Sequence, residues 1–455
     1  MTPGSPIPSD RRRRRSEDCD DLMRILQAYR FALDPSPRQE RAMRAHLGAR
    51  RFAYNWGLAL VKARLDARAR GDNVEVPYTL PVLRREWNQA KEEAAPWWRE
   101  HSKEAYSSGL DGLARGLRAF FDSRSGRRRG RRVAFPVFRK KGQARQSVRF
   151  TTGAIAVADG THIVLPRLGR IRTHESTTAL AERIAAGTAR ILTATLSWEG
   201  DRWFVSFTCE VDRTPGRPAR PTSVVGVDAG VHHLAVLSTG EAVPNPRPLH
   251  GALRRIARLH RTAARRTRGS GHRQQTRRQL ARAYRRAAYI RADAMHKLTT
   301  RLARTYGTIV IERLHIAGMM RNRRLARAIA DAGLGALREQ LRYKCQWYGS
   351  QLIEADTFFP SSKLCSGCGT AKATLALSER VFRCEHCGAV MDRDLNAAAN
   401  LAALAAATPG SGPEALNARG RDVRLAACEQ SRMSREAGSG SPHQTGALMP
   451  QGVST

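Results

Sequence analysis

The stretch from Cys365 to Asn400, CSGCG followed after twelve residues by FRCEHCGAVMDRDLNAAAN, decides how the rest of the chain reads. Its four cysteines stand as Cys365-x2-Cys368, fifteen intervening residues, then Cys384-x2-Cys387. That spacing fits two hairpin knuckles presenting four thiolates to one tetrahedral Zn²⁺, a closed site with no position left for catalysis. Gly367, Gly369 and Gly388 fall where knuckle turns call for positive φ. His386 lies between the last two cysteines, but the quartet is complete without it. Directly behind the second knuckle, Asp392 and Asp394 precede an alanine- and leucine-rich run from Asn396 to Ala407 that favours helix. An aspartate at that point suits a helix N-terminus through capping and the helix dipole. Taken alone, Asp394 reads equally as a cap and as a functional acid.

Composition limits what such a site can serve. The chain has 455 residues, enough for two to four domains, and carries 79 Lys+Arg against 40 Asp+Glu, a net charge of +39. An excess of that size points to a polyanionic partner. No apolar run approaches a membrane span, no signal peptide is visible, and no amphipathic anchor supports a membrane-surface role. The other cysteines, Cys19, Cys209, Cys345 and Cys428, are scattered, which predicts a reduced, cytoplasmic protein, nucleoid-associated when bound to DNA.

Residues 1–22, with the uninterrupted run Arg11 to Arg15, are expected to form a disordered basic arm. From Ile25 the alternation of Tyr29, Phe31 and Leu33 with Ala28, Arg30 and Ala32 predicts a half-buried strand. Ser36-Pro37-Arg38-Gln39 then supplies a capping box with proline in the first helical position. The helix behind it repeats Met43, Leu47, Tyr54, Leu58, Val61 and Leu65, and helical patterns recur near Trp87 and from Tyr106 to Phe121. Phe52, Tyr54, Asn55 and Trp56 could stack on bases, but core packing suits them better. Residues 127–150 are basic with interleaved aromatics, able to neutralise phosphates while Phe135 or Phe138 packs or stacks. Short β runs follow, including a hairpin around Glu199-Gly200-Asp201, and suggest a small barrel or sandwich.

After a proline-rich linker at 214–222, a buried run ends in Asp228 and returns antiparallel over Leu234–Ser238. Thr308-Ile-Val-Ile-Glu312 repeats the arrangement, a β-branched run closing on a carboxylate. Between them, 251–305 reads as a basic helical pair broken at Gly269-Ser-Gly271, with Leu280, Tyr284, Ala288, Met295, Leu298 and Leu302 as its buried stripe and its arginines facing outward. A carboxylate at the end of a core strand is costly to bury unpaired and usually needs a cation. Asp228, Glu312 and Asp394 together offer hard oxygen ligands for Mg²⁺ or Mn²⁺. A pair of such ions about 3.5–4 Å apart supports in-line phosphodiester hydrolysis.

These segments, GVDAGVHHLAVLS, IVIERLHIAGM, FFPSSKLCSGCG, FRCEHCG and DRDLNAAANLA, together resemble the TnpB proteins of IS200/IS605-type insertion elements. Those proteins, also called OrfB transposases, are related to the type V CRISPR nucleases. The segments LQAYRFALDPSPRQERAMRAHLGARRFAYNWGLAL and FPVFRKK…VRF…LPRLGRIRTHES extend the resemblance to about Ile25–Leu404. It implies a multidomain α+β and α/β protein with a RuvC-like nuclease of RNase H fold, an inserted zinc ribbon, and a small β-barrel carrying a helical module. It implies catalytic, metal-binding Asp228, Glu312 and Asp394, with Asp394 chosen over Asp392 because the family aspartate stands two before Asn396. It further implies a guide RNA, a double-stranded DNA target and the ends of the transposable element as partners. The expected divisions are 1–22, arm; 23–130, first barrel strand and helical module; 131–213, barrel; 214–222, linker; 223–360, nuclease; 361–390, zinc ribbon; 391–407, final nuclease helix; and 408–455, a disordered tail. The tail's Gly, Ser, Pro and Ala bias is what would follow from a guide-RNA scaffold encoded across the gene's 3′ end. Two other functions are weighed beside guided cleavage: a transposase that needs no guide, and a guided binding protein without nuclease activity. The intact acidic triad argues against the second, and the lack of an HUH-plus-tyrosine site against the first.

Overall fold

The computed structural model describes residues 22–142, 146–376 and 378–406. The arm at 1–22, apart from its last residue, and the tail at 408–455 lie outside the described residues. The described residues form a mixed α/β protein with two large sheets, one two-stranded ribbon and two main cores.

The first strand, β1 (Met23–Asp34), alternates in burial over its first eight residues and then buries Phe31, Ala32 and Leu33 together. Ser36 and Gln39 make the reciprocal capping box expected of them, and Pro37 opens α1 (Pro37–Ala69). With α2 (Leu80–Ala94) and α3 (Lys103–Arg124), this helix forms the expected module. Trp56 and Trp87 meet edge to face at 5.1 Å, Phe52 and Trp97 at 5.3 Å, and Tyr54 is buried, so the aromatic cluster is core.

Short strands follow as β2 (Ser147–Phe150), β3 (Ala156–Val157), β4 (His162–Leu165) and β5 (Gly169–Thr173), then α4 (Thr178–Ala185) and the hairpin of β6 (Ala189–Trp198) and β7 (Trp203–Arg213). They join β1 in an antiparallel seven-stranded sheet of order β2-β6-β7-β1-β5-β4-β3. One hydrophobic core from Phe31 to Val211 unites this sheet with the helical module.

The second sheet is built from β8 (Arg220–Asp228), β9 (His233–Leu237), β10 (Ala242–Pro244), β11 (Tyr306–Glu312) and β12 (Gln351–Ala355), in the order β10-β9-β8-β11-β12. Strands β8, β11 and β12 run parallel, with β9 and β10 antiparallel at one side. Strand β8 starts at Arg220, inside the proline-rich stretch, because Arg220 is already paired with Tyr306. Between β10 and β11 run α5 (Pro248–Arg265) and α6 (Gly271–Thr305), broken at the expected glycines. Of their expected stripe, Met295, Leu298 and Leu302 are buried and Leu280 packs against the core, but Ala283 and Ala287 are buried where Tyr284 is 44% exposed and bonds His260 at the rim. Small alanines let the two helices approach closely, which shifts the contact face by one residue.

Between β11 and β12 lie α7 (Ile316–Met319), α8 (Ala326–Ala332) and α9 (Leu334–Tyr348). After β12 come the paired β13 (Val381–Arg383) and β14 (Val390–Asp392), and then α10 (Arg393–Ala406). This last helix lies against β8, and Gly226 makes the contact possible: a Cβ there would overlap the Ala398 carbonyl oxygen. No helix among the described residues is long and apolar enough to cross a membrane.

Candidate functional site

The acidic site follows from strand order. Val227 pairs with Ile311 across the parallel strands β8 and β11, so the next residues, Asp228 and Glu312, emerge at the same edge of the sheet. Helix α10 brings the third carboxylate to that edge. Its N-cap is Asp392, whose Oδ1 accepts the N–H groups of Asp394 at 2.9 Å and Leu395 at 3.0 Å. The capping role that the sequence left open for Asp394 is thus filled by Asp392. The Asp394 carboxylate instead faces the guanidinium groups of Arg393 at 3.1 Å and Arg380 at 3.7 Å.

The three acids share one electrostatic environment. Burial pushes the Asp228 carboxyl up to about 8, and the negative charges of Glu312 and Asp394 add to the rise while Arg393 opposes it. Glu312 is raised by burial and held back by a hydrogen bond that Ser361 Oγ donates to its Oε1. Sequence reasoning missed Ser361, which follows a proline in a segment without periodicity. It also missed Arg380. It treated Asn396 only as a landmark, although buried asparagines in an alanine-rich helix signal partners that need satisfying.

The thiol site is tighter. The Sγ atoms of Cys365, Cys368, Cys384 and Cys387 all lie within 4.8 Å of one another, and among the described residues no other group of three or more His, Cys, Asp or Glu side chains meets that limit. Cys365–Cys387 and Cys368–Cys384 sulfurs are each 3.6 Å apart. Tetrahedral bonds of about 2.3 Å to zinc place sulfurs about 3.8 Å apart, so the quartet suits the ion closely. Gly369 and Gly388 close the two knuckles at φ +75° and +73°. Gly367 is a correction: it is not among the positive-φ residues, because the turn after Cys365 reaches the left-handed region only at Gly369.

A third feature lies between α1 and α6. A cleft of about 990 Å³ is lined by Arg44, Arg50 and Arg51 of α1, by Arg139, Lys140 and Lys141, and by Arg277 and Arg278 of α6, with no acidic residue among its described lining. Its floor is the β6–β7 turn. There Gly200 comes so near α6 that a Cβ would stand 2.5 Å from that of Ala281. Asp201, with a side chain 5% exposed, accepts hydrogen bonds from Arg282 at 2.6 Å and from both terminal nitrogens of Arg285. Arg285 therefore turns inward, unlike the outward face expected for the α6 arginines. Phe135 packs edge to face on Phe120, while Phe138 is 48% exposed with the Lys62 amine 5.1 Å above its ring.

Comparison with known proteins gives three family matches. Residues 206–323 match the OrfB family of IS605, described as "Probable transposase". Residues 335–401 match the Cas12f1-like TNB domain, and residues 23–70 match the helix-turn-helix domain of the OrfB family. In this structure 23–70 is one strand and one unbroken helix. The protein Rv2885c of Mycobacterium tuberculosis is 41% identical over 398 residues, covering 83% of this chain and 86% of the relative. A Streptomyces pristinaespiralis protein is 36% identical, covering 86% and 92%. InsQ of Escherichia coli K12 is 31% identical, covering 84% and 92%. All three are named as RNA-guided DNA endonucleases. Among solved structures, a Cas12f1–sgRNA–target DNA complex aligns at TM-score 0.42 and 14% identity, over 83% of this chain and 99% of that one.

Proposed function

The chain belongs to the TnpB (OrfB) family of IS200/IS605-type insertion elements, and from that premise we propose that it is an RNA-guided DNA endonuclease that hydrolyses phosphodiesters at Asp228, Glu312 and Asp394. The observation that carries this reading is the gathering of three carboxylates from β8, β11 and α10 at one sheet edge, in a chain of net charge +39. Acids held so close, with Asp228 pushed up to about 8, are relieved by cations. One Mg²⁺ holds its oxygens within about 4.2 Å of each other, twice a bond length of about 2.1 Å. The triad is more widely spread than the 4.8 Å of the thiol quartet, which favours two ions over one. Bound Mg²⁺ or Mn²⁺ would activate water and stabilise the leaving oxygen.

In this reading the five-stranded sheet with α10 is the RuvC-like nuclease of RNase H fold, covering 223–360 and 391–407 and extended back to Arg220. The segment 361–390 is its zinc ribbon, and the seven-stranded sheet with α1–α3 is the wedge-like barrel and recognition module. The basic cleft between α1 and α6 supports a nucleic-acid partner, since eight Arg and Lys side chains line it with no acid in the described lining. The names of the mycobacterial, Streptomyces and E. coli relatives support a guide RNA and a DNA target as those partners. The test is expression with the downstream region of the gene, followed by sequencing of RNA bound to the purified protein. A single RNA species from that region is expected. Bulk cellular RNA, or none, would contradict guidance and favour a transposase acting without it.

A further inference from the structure

Between β12 and the first knuckle, residues 361–366 carry two things at once: Ser361, whose Oγ donates to Glu312 Oε1, and Cys365 of the thiol quartet. This segment has no regular structure of its own, yet Ser361 is only 2% exposed and Cys365 only 1%. Backbone bonds tie it to Pro360 and to the knuckle residues Thr370 and Lys372, and α10 grips it from behind. Asn400 Nδ2 donates to the Ser361 carbonyl at 2.7 Å and to the Leu364 carbonyl at 2.8 Å. Asn396 Nδ2 donates to the same Leu364 carbonyl at 2.6 Å, and Asn396 Oδ1 accepts the Ser366 N–H at 2.9 Å. The two asparagines are four residues apart, hence on one face of the helix, and their residues are 0% and 7% exposed. Two residues before Asn396 on the same helix stands Asp394.

We propose that this segment is a tie between the thiol quartet and the acidic site, in which Ser361 is a positioning residue for Glu312 and Asn396 with Asn400 fix Ser361 in register. The inference rests on the reading of Glu312 as a metal-binding acid. A glutamate has three side-chain torsions, and near two other acids it is repelled from the position a shared cation requires. A hydroxyl fixed from behind holds one carboxylate oxygen and leaves the other free to bind. Because the same segment bears Cys365, folding of the knuckles and placement of Glu312 depend on a common piece of backbone. Asn400 uses both its amide hydrogens, and Asn396 one hydrogen and its oxygen, so Asp or Leu at these positions cannot reproduce the contacts.

Mn²⁺ binding to the purified full chain, read from the free-ion signal in electron paramagnetic resonance, tests this without relying on cleavage. Loss of a partner that orients a metal-binding side chain typically costs about tenfold or more in metal affinity. Ser361→Ala should therefore weaken Mn²⁺ binding by about tenfold with zinc content unchanged, and Ser361→Thr, which keeps the hydroxyl, should restore most of it. Asn400→Leu should weaken Mn²⁺ binding in the same way, and Asn400→Asp likewise, with Cys365 still bound to zinc. Ser361→Ala binding Mn²⁺ as wild type does would overturn the proposal, as would failure of Ser361→Thr to recover affinity. Failure of the underlying reading looks different: Glu312→Ala would then bind Mn²⁺ as tightly as wild type.

Discussion

The thiol quartet and Asp394, the last acid of the triad, stand seven residues apart along the chain, yet quartet and triad are built in opposite ways. The quartet comes from two short knuckles within twenty-three residues, Cys365 to Cys387, and its four sulfurs already stand at zinc-binding separations. The triad draws on positions 228, 312 and 394, and depends on parallel strand pairing and on the seating of α10. One site is set by local spacing and closed; the other is assembled by the whole fold, mutually repulsive, and open. On the proposed reading, the contrast explains why a protein so basic keeps these acids: their repulsion leaves a place whose stabilisation awaits cations.

The sharpest break in that contrast should come from removing an acid. Asp228→Ala or Glu312→Ala should lower cleavage by about a thousandfold or more, since several kcal/mol of transition-state stabilisation are lost at about 1.4 kcal/mol per factor of ten. Affinity for nucleic acid should barely change, because backbone contacts are made by the arginines and lysines. Equal loss of binding and cleavage would count against the assignment. Cys384→Ser should act the other way, with zinc content, yield and activity falling together, because zinc binding at such sites is coupled to folding. Elemental analysis finding no zinc in active wild-type protein would remove the structural role of the quartet. Gly226→Ala separates the two sites: it should lift α10 from β8, cost about 1–3 kcal/mol by overpacking, and impair cleavage while zinc stays bound. Wild-type cleavage by that variant would mean that α10 need not be seated.

The smallest effect is a pH dependence. Asp228 in the folded chain is raised to about 8, well above the roughly 3.9 of an unfolded chain, so the folded state holds the extra proton between these values. Its contribution to stability is complete below the unfolded value and lost as pH rises through about 8. In chelator, Asp228→Asn should melt above wild type, with the gap widening from pH 5 to pH 8 by at most about 1.4 kcal/mol per pH unit. A gap that stays constant across that range would show that Asp228 is charged without its cation.

What the sequence could reveal tracks the same contrast. The capping box at Ser36, the break at Gly269-Ser-Gly271, the hairpin at Glu199-Gly200-Asp201 and the cysteine spacing are local patterns, and each has its expected place. Strand ends at Asp228 and Glu312 were legible because a β-branched run closing on a carboxylate is unusual. That they adjoin is a matter of strand order, which no local pattern holds. Tyr284 and Gly367 were misread because close packing of α5 on α6 and the detailed knuckle path are tertiary facts. Ser361, Arg380, and the burial of Asp201 against Arg282 and Arg285 were invisible for the same reason. Asp392 and Asp394 were ambiguous until the N–H groups of Asp394 and Leu395 were seen to point at Asp392.

That pair also supplies the most direct test of the acidic site. Purified protein, co-expressed with RNA from the downstream region, is incubated in Mg²⁺ with a plasmid bearing the matching target, beside Asp392→Ala and Asp394→Ala. Wild type should linearise the plasmid. Asp392→Ala, having lost only a helix cap worth about 1 kcal/mol, should still do so at a reduced rate, and Asp394→Ala should leave the plasmid intact. Linear product from Asp394→Ala, with none from Asp392→Ala, would contradict the account.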